Sequence, residues 1–194
     1  HFYELGARYI QLDDTTWAFL ISKLHDSQAD AAEHEKYVKI AQDSVKVIND
    51  ALADLPDDLT ITTHICRGNF QSTYLFAGGY DDVASYLGQL NYDGVFLEFD
   101  DDRSGSFDSL GEIWAGDTNK RIVLGLITSK KPEIEDQDAI IARVNEAAKI
   151  VPLENLALST QCGFASTEEG NKLTQAQQWD KLDFVIQTAN KIWG

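Results

Sequence analysis

Short aliphatic or β-branched runs alternate along this chain with longer stretches whose apolar residues recur every three or four positions. The first pattern marks buried strands and the second amphipathic helices. Runs at Arg8–Leu12, Leu59–Thr63, Gly94–Phe99, Arg121–Ile127 and Leu156–Ser159 predict five strands. After the first of them Thr15 is placed to cap a helix carrying Trp17, Phe19, Leu20 and Leu24. Val38, Ala41, Val45, Ile48, Leu52 and Leu55 predict a long helix from Ala31 to Leu55, which Pro56 ends. Shorter helices are predicted from Asp81 to Leu90 and from Leu110 to Trp114. Ile140, Ile141, Val144 and Ala147 predict another over Asp136–Ile150, and a last one reaches from Leu173 to Trp193. Phe70 to Tyr80, rich in aromatics and glycine, reads as a loop able to cover a site, and Thr128 to Asp136 as a polar loop. No linker-like or repetitive segment interrupts the series, so residues 1–194 read as one domain.

Strand and helix alternate five times, which predicts an α/β fold of parallel strands joined by right-handed crossovers. The strand interiors are apolar and their ends polar, and in parallel sheets and barrels that end is where ligands bind. The same periodicity excludes a membrane span, since no apolar run approaches the roughly 18 to 20 residues required. There is no signal-like start either, so a soluble, cytoplasmic protein is expected.

Composition changes this picture in three places. Thirty-two acidic against sixteen basic residues give a net charge of −16, which disfavours nucleic acid and anionic membrane surfaces as partners. Two cysteines do not make the dense framework of a small secreted domain, so reduced thiols are expected over a disulfide. The absence of methionine from a chain that starts at His1 points to a processed product or a piece of a longer protein.

The candidate chemistry sits at the strand ends. His64 and Cys66, two apart, point the same way at the end of the second strand. Glu98 ends the third, and Cys162 lies just past the fifth. In a barrel these ends converge on one mouth, where an imidazole, two thiolates and a carboxylate form a complete zinc shell. Asp100, Asp101 or Asp102 could stand in for Glu98. Three negative ligands leave the site formally at −1, poor for activating water but suited to holding a substrate thiol as thiolate, so thiol alkyl transfer fits better than hydrolysis.

These residues also carry a resemblance. His64, Cys66, Arg67, Gly68 and Asn69, the strand end Leu97, Glu98, Phe99 and Asp100, and Gln161, Cys162, Gly163 and Phe164 resemble the C-terminal catalytic domain of cobalamin-independent methionine synthases, especially their short stand-alone relatives. Gly6 to Asp13 looks like that family's opening strand. The resemblance implies the C-terminal part, about five β/α units, of a (β/α)8 TIM-type barrel. It implies Zn2+ held by His64, Cys66, Glu98 and Cys162, and homocysteine bound through sulfur to the metal and through its amine to Asp13, with Asp14 as the alternative. Methyl transfer would give methionine, with methyl-tetrahydrofolate as the usual donor; the alternatives are a related barrel that methylates another thiol or uses a corrinoid donor, and a non-catalytic fragment that needs a partner. Where the family carries a His-Ser-Pro motif after the fourth strand, this chain reads Thr128-Ser129-Lys130-Lys131-Pro132. Lys130 and Lys131 are the nearest basic candidates for an anionic folate tail. Five of eight strands leave two open edges, so self-association or a missing N-terminal part is expected.

Overall fold

Parallel pairing carries the five apolar runs into one sheet. A computed structural model describes residues 1–194 and places β1 at Tyr9–Asp14, β2 at Thr60–Ile65, β3 at Gly94–Glu98, β4 at Arg121–Ile127 and β5 at Leu156–Thr160. The helices are α1 (Thr16–Asp26), α2 (Ala31–Leu52), α3 (Ala84–Gly88), α4 (Leu110–Trp114), α5 (Gln137–Ala147) and α6 (Gln175–Trp193). Strand order is β1-β2-β3-β4-β5, and every neighbouring pair is parallel. Spatial order that follows sequence order has no reversal point, which is the winding of a barrel and not of a doubly wound sheet. The chain is thus an arc of five β/α units from a TIM-type barrel. No helix is long and apolar enough to cross a membrane.

Alternation along the strands divides their side chains between two faces. Ile65, Val95, Leu97, Ile122 and Leu124 pack against Trp17 and Leu20 of α1, Leu87 of α3, Leu110 of α4 and Val144 of α5 in one continuous core. Thr62, His64, Phe96, Glu98, Val123 and Gly125 alternate with them and turn to the opposite, inner face. β1 and β5 end the sheet, and Tyr9 and Leu12 on β1 are 53% and 42% exposed.

Several boundaries differ from the sequence expectation. β1 and β2 run on to Asp14 and Ile65 because their ladder continues through Asp13 opposite His64. The long helix stops at Leu52, not Leu55, because the residue before Pro56 is pushed out of the helical region. Thr15 occupies the cap position of α1 but makes no side-chain cap bond; Asp14 Oδ1 accepts from Thr16 N at 2.7 Å instead. The helix expected from Asp81 is confined to Ala84–Gly88.

Gly125 decides how closely the end of β5 can approach. A Cβ there would lie 2.8 Å from Leu97 O, 2.9 Å from Gln161 Cα and 3.2 Å from Thr160 O, all backbone atoms that cannot swing aside. Gly125→Ala is therefore expected to cost about 1–3 kcal/mol, a fall in Tm of several degrees at roughly 2–4 °C per kcal/mol for a chain of this size. Thermal unfolding followed by circular dichroism measures it, and an unchanged Tm would contradict the close approach.

Candidate metal centre

Each candidate ligand is placed by the last residues of a strand or the first of the following loop. His64 lies in β2 with Asp13 of β1 beside it in register and Phe96 of β3 on its other side. Cys66 is one step past β2, yet its N–H still bonds Asp14 O at 3.0 Å, so the ladder holds it. Gly68, at φ +68°, then turns the chain away, and the N–H groups of Leu75 and Phe76 return to Arg67 O. Glu98 closes β3, its N–H donating to Tyr80 Oη at 2.8 Å and its carbonyl accepting from Ser104 Oγ. Cys162 follows β5, where Gln161 N bonds Ile127 O at 2.8 Å.

The structure brings three of the four together. One ligand atom from each of His64, Cys66 and Cys162 lies within 4.8 Å of the other two. Both cysteines are free. Glu98 stands outside that mutual set but touches it, with Oε1 3.3 Å from His64 Nε2. A tetrahedron built on zinc bonds of about 2.0–2.1 Å has edges of roughly 3.4 Å, so this pair is already at the right spacing for a shared ion. The donor set of one imidazole, two sulfurs and a carboxylate therefore fits zinc.

His64 is oriented from both ring nitrogens. Nδ1 meets Asp13 Oδ1 at 2.9 Å, while Nε2 faces Gln161 O at 3.1 Å and Glu98. A carboxylate on the far nitrogen is the usual way a metal-binding histidine is held and made more basic. Asp13 is thus engaged with His64 while its side chain stays 67% exposed, and Asp14, the alternative ligand, caps α1. Asp13 and His64 border a cavity of about 280 Å³, lined also by Gln11, Phe96, Thr160 and Cys162.

Glu98 is fully buried. Oε1 accepts from Arg67 N at 3.1 Å and Asn69 Nδ2 at 2.7 Å; Oε2 accepts from Arg103 Nη2 at 2.8 Å and Gln161 Nε2 at 3.3 Å. Arg103 also bonds Asp100 Oδ1 at 3.0 Å, and Asp100 pairs with Lys130. Of the acids after β3, Asp100 is consumed by these two cations and Asp101 accepts from Arg103 N at the next turn. Lys130, 8% exposed and committed to Asp100, is not a free loop cation for an anionic tail. His25 and His34 stand elsewhere, against Asp82 and Ser27.

Without metal the site stores its charge unevenly. Burial works against a charged His64, but hydrogen bonds and charge from Asp13 and Glu98 overcome it and lift the imidazole to about 10. A hydrogen bond from Cys162, against the cost of burial and aided by Asn69 and His64, brings Cys66 down to about 6. Cys162 is pushed well above the ordinary thiol range by donating that bond, by burial and by the negative charge on Cys66. The His64 bond holds Asp13 below its ordinary range.

Gln161, Ser129 and Tyr80 had no sequence-derived role. For Gln161 the signals are its place in the motif with Cys162, Gly163 and Phe164 and a two-way amide immediately before Cys162 at the end of an apolar strand.

Fold and site together define a class: a parallel barrel arc with a histidine–cysteine–cysteine cluster that could hold a metal at the carboxyl ends of its strands. The profile of the family described as "Cobalamin-independent synthase, Catalytic domain" matches residues 1–181, and the chain belongs to that family. It is 55% identical to the uncharacterized protein YxjH of Bacillus subtilis (strain 168) over 99% of this chain and 50% of that protein. It is 42% identical, at a TM-score of 0.71, to a Listeria monocytogenes structure provisionally assigned as a vitamin-B12 independent methionine synthase, covering all of this chain and 51% of the other. A B12-independent methionine synthase from Shewanella sp. W3-18-1, solved in complex with selenomethionine, shares the fold at a TM-score of 0.69 and 18% identity, over 98% of this chain and 50% of that one. The chain spans about half the length of the relatives it matches.

Metal ligands must shed their protons to bind. Between pH about 6 and about 10 the metal-free site holds Cys66 as thiolate, with the protons still on His64 and Cys162. Zinc uptake is therefore expected to release about two protons, and the apparent affinity to rise up to about 100-fold per pH unit across that window. Calorimetry in buffers of different ionisation enthalpy counts the protons; an affinity flat with pH would contradict this ligand set.

Proposed function

We propose that this chain forms the zinc-binding part of a thiol methyltransferase that converts homocysteine to methionine. The observation that carries the reading is the convergence of His64, Cys66 and Cys162 within 4.8 Å, with Glu98 against His64, at one mouth of a family barrel. His64, Cys66, Glu98 and Cys162 would hold the ion. The chemistry zinc supplies when bound is activation of a sulfur ligand, which loses its proton near neutral pH.

The rest follows from the chain's own groups. Two thiolates and a carboxylate around a dication leave the centre formally negative, which favours an electron-rich sulfur nucleophile over activated water. Asp13 lines the adjoining cavity beside His64 and supplies the negative charge an α-ammonium group needs. At about 280 Å³ the cavity lies just below the usual range for ligand pockets, about 300–1,000 Å³, and suits a single amino acid. In the reaction a sulfur–methyl bond forms as the donor's bond to that methyl breaks, and the donor keeps the electron pair. Methyl-tetrahydrofolate is the donor of this reading; its leaving nitrogen must take up a proton.

One observation favours a second donor. Residues 128–132 contain no histidine to pass a proton to the leaving nitrogen, and with Lys130 tied to Asp100 the exposed Lys131 is the one cation that loop keeps for a polyanionic tail. A methyl-corrinoid, whose leaving metal centre needs no proton, fits such a loop. The remaining barrel units are proposed to come from the rest of a longer protein or from a partner, seated on the exposed edge of β1.

The test is methionine formation by the full-length protein from homocysteine with each donor, before and after chelation. Zinc-dependent turnover with at least one donor is expected, and Cys66→Ser or Cys162→Ser should lower it by at least about 100-fold. Undiminished activity in the chelated protein, or no thiol methylation with either donor, would overturn the proposal.

A further inference from the structure

Asn69 and Gln161 join the two thiol-bearing loops across 92 residues of sequence: Gln161 Nε2 donates to Asn69 Oδ1 at 3.1 Å. One residue lies three positions after Cys66 and the other directly before Cys162. They are 7% and 1% exposed. Their remaining polar groups reach the other parts of the site. Asn69 Nδ2 donates to Glu98 Oε1 at 2.7 Å and lies 3.6 Å from Cys66 Sγ. Gln161 Nε2 also reaches Glu98 Oε2, its Oε1 accepts from Ser129 N and Oγ, and its backbone carbonyl faces His64 Nε2 at 3.1 Å.

We propose that the Asn69–Gln161 amide bridge is a positioning device for the metal centre, fixing the spacing of the Cys66 and Cys162 sulfurs and the direction of Glu98 before any ion arrives. This rests on the zinc reading above. Amides suit the task for two reasons. Each donates and accepts at once, which the position between a donating Ser129 and an accepting Glu98 requires. Each is also neutral, so the bridge adds no charge to a centre that already carries three negative ligands. Prearranged ligands need not be collected from mobile loops when the ion binds, and that part of the ordering cost is met during folding. The Asn69 N–H beside Cys66 draws charge from that sulfur and offers a way to tune it.

The experiment compares wild type, N69A, Q161A and the double variant for zinc affinity, by competition with a chromophoric chelator. Co2+ absorption in the d–d and sulfur charge-transfer regions reports the coordination geometry, and Tm reports folding. Each single change is expected to weaken zinc about 10- to 100-fold and to alter the Co2+ spectrum. The double variant should lose less than the sum of the two singles, because the Asn69–Gln161 bond is already gone in each. A merely structural role would lower Tm and leave affinity and spectrum unchanged, which would overturn the inference while the zinc reading stands. A wild-type protein that takes up neither metal overturns both. Should Q161A fail to fold, Q161N keeps both amide groups on a shorter arm and must show the same weakening; a wild-type affinity and spectrum in that variant would also overturn the inference.

Discussion

A carboxylate removed wholly from water must find its partners within the protein, and Glu98 finds them in loops from opposite sides of the barrel mouth. Arg67 and Asn69 reach it from the loop after β2, Arg103 from the loop after β3 and Gln161 from the end of β5. Leaving a buried charge without its partner costs about 3–5 kcal/mol, so each of these loops is drawn to one point. Cys66 and Cys162 travel with them. Their proximity is thus a consequence of satisfying an anion, and a cluster of groups able to hold a metal comes from the same bonds that stabilise the mouth.

Charge is arranged locally against the global excess. The chain carries −16 overall, yet the inner mouth alternates in sign through Lys130, Asp100, Arg103, Glu98, His64 and Asp13. Alternation lets several ionised groups share a space with little water, each screened by its neighbours in place of solvent. A cation entering at His64 would replace the proton between His64 and Glu98, so the existing ladder already has a position for positive charge. The same alternation sets a charged imidazole at His64 beside the lowered thiol of Cys66.

The loop from Phe70 to Tyr80 reads in the sequence as a cover, and its tip meets the segment after β5: Ser72 N donates to Asn171 Oδ1 and Lys172 N to Ser72 Oγ. Gln71 and Ser72 adopt φ of 43° and 66° at that tip, a conformation side-chain-bearing residues seldom take. The loops that carry the two cysteines are therefore joined twice, by Ser72 with the 171–172 segment and by Asn69 with Gln161 underneath.

The period of the apolar residues determined the five strands, their helices and the α/β class, because burial of one face is a local property of the sequence. The residue types at the strand ends also marked His64, Cys66, Glu98 and Cys162 as a donor set, since few side chains can serve a soft cation. Tertiary structure decided the rest. Which acid is left to face His64 is decided when Arg103 and Lys130 claim Asp100, and Asp14 rather than Thr15 caps α1 because β1 runs on beside β2. The bridging role of Gln161 exists only because Gly125, a strand away, leaves room for the end of β5. Such roles arise from distances between residues far apart in the chain, and no periodicity records those.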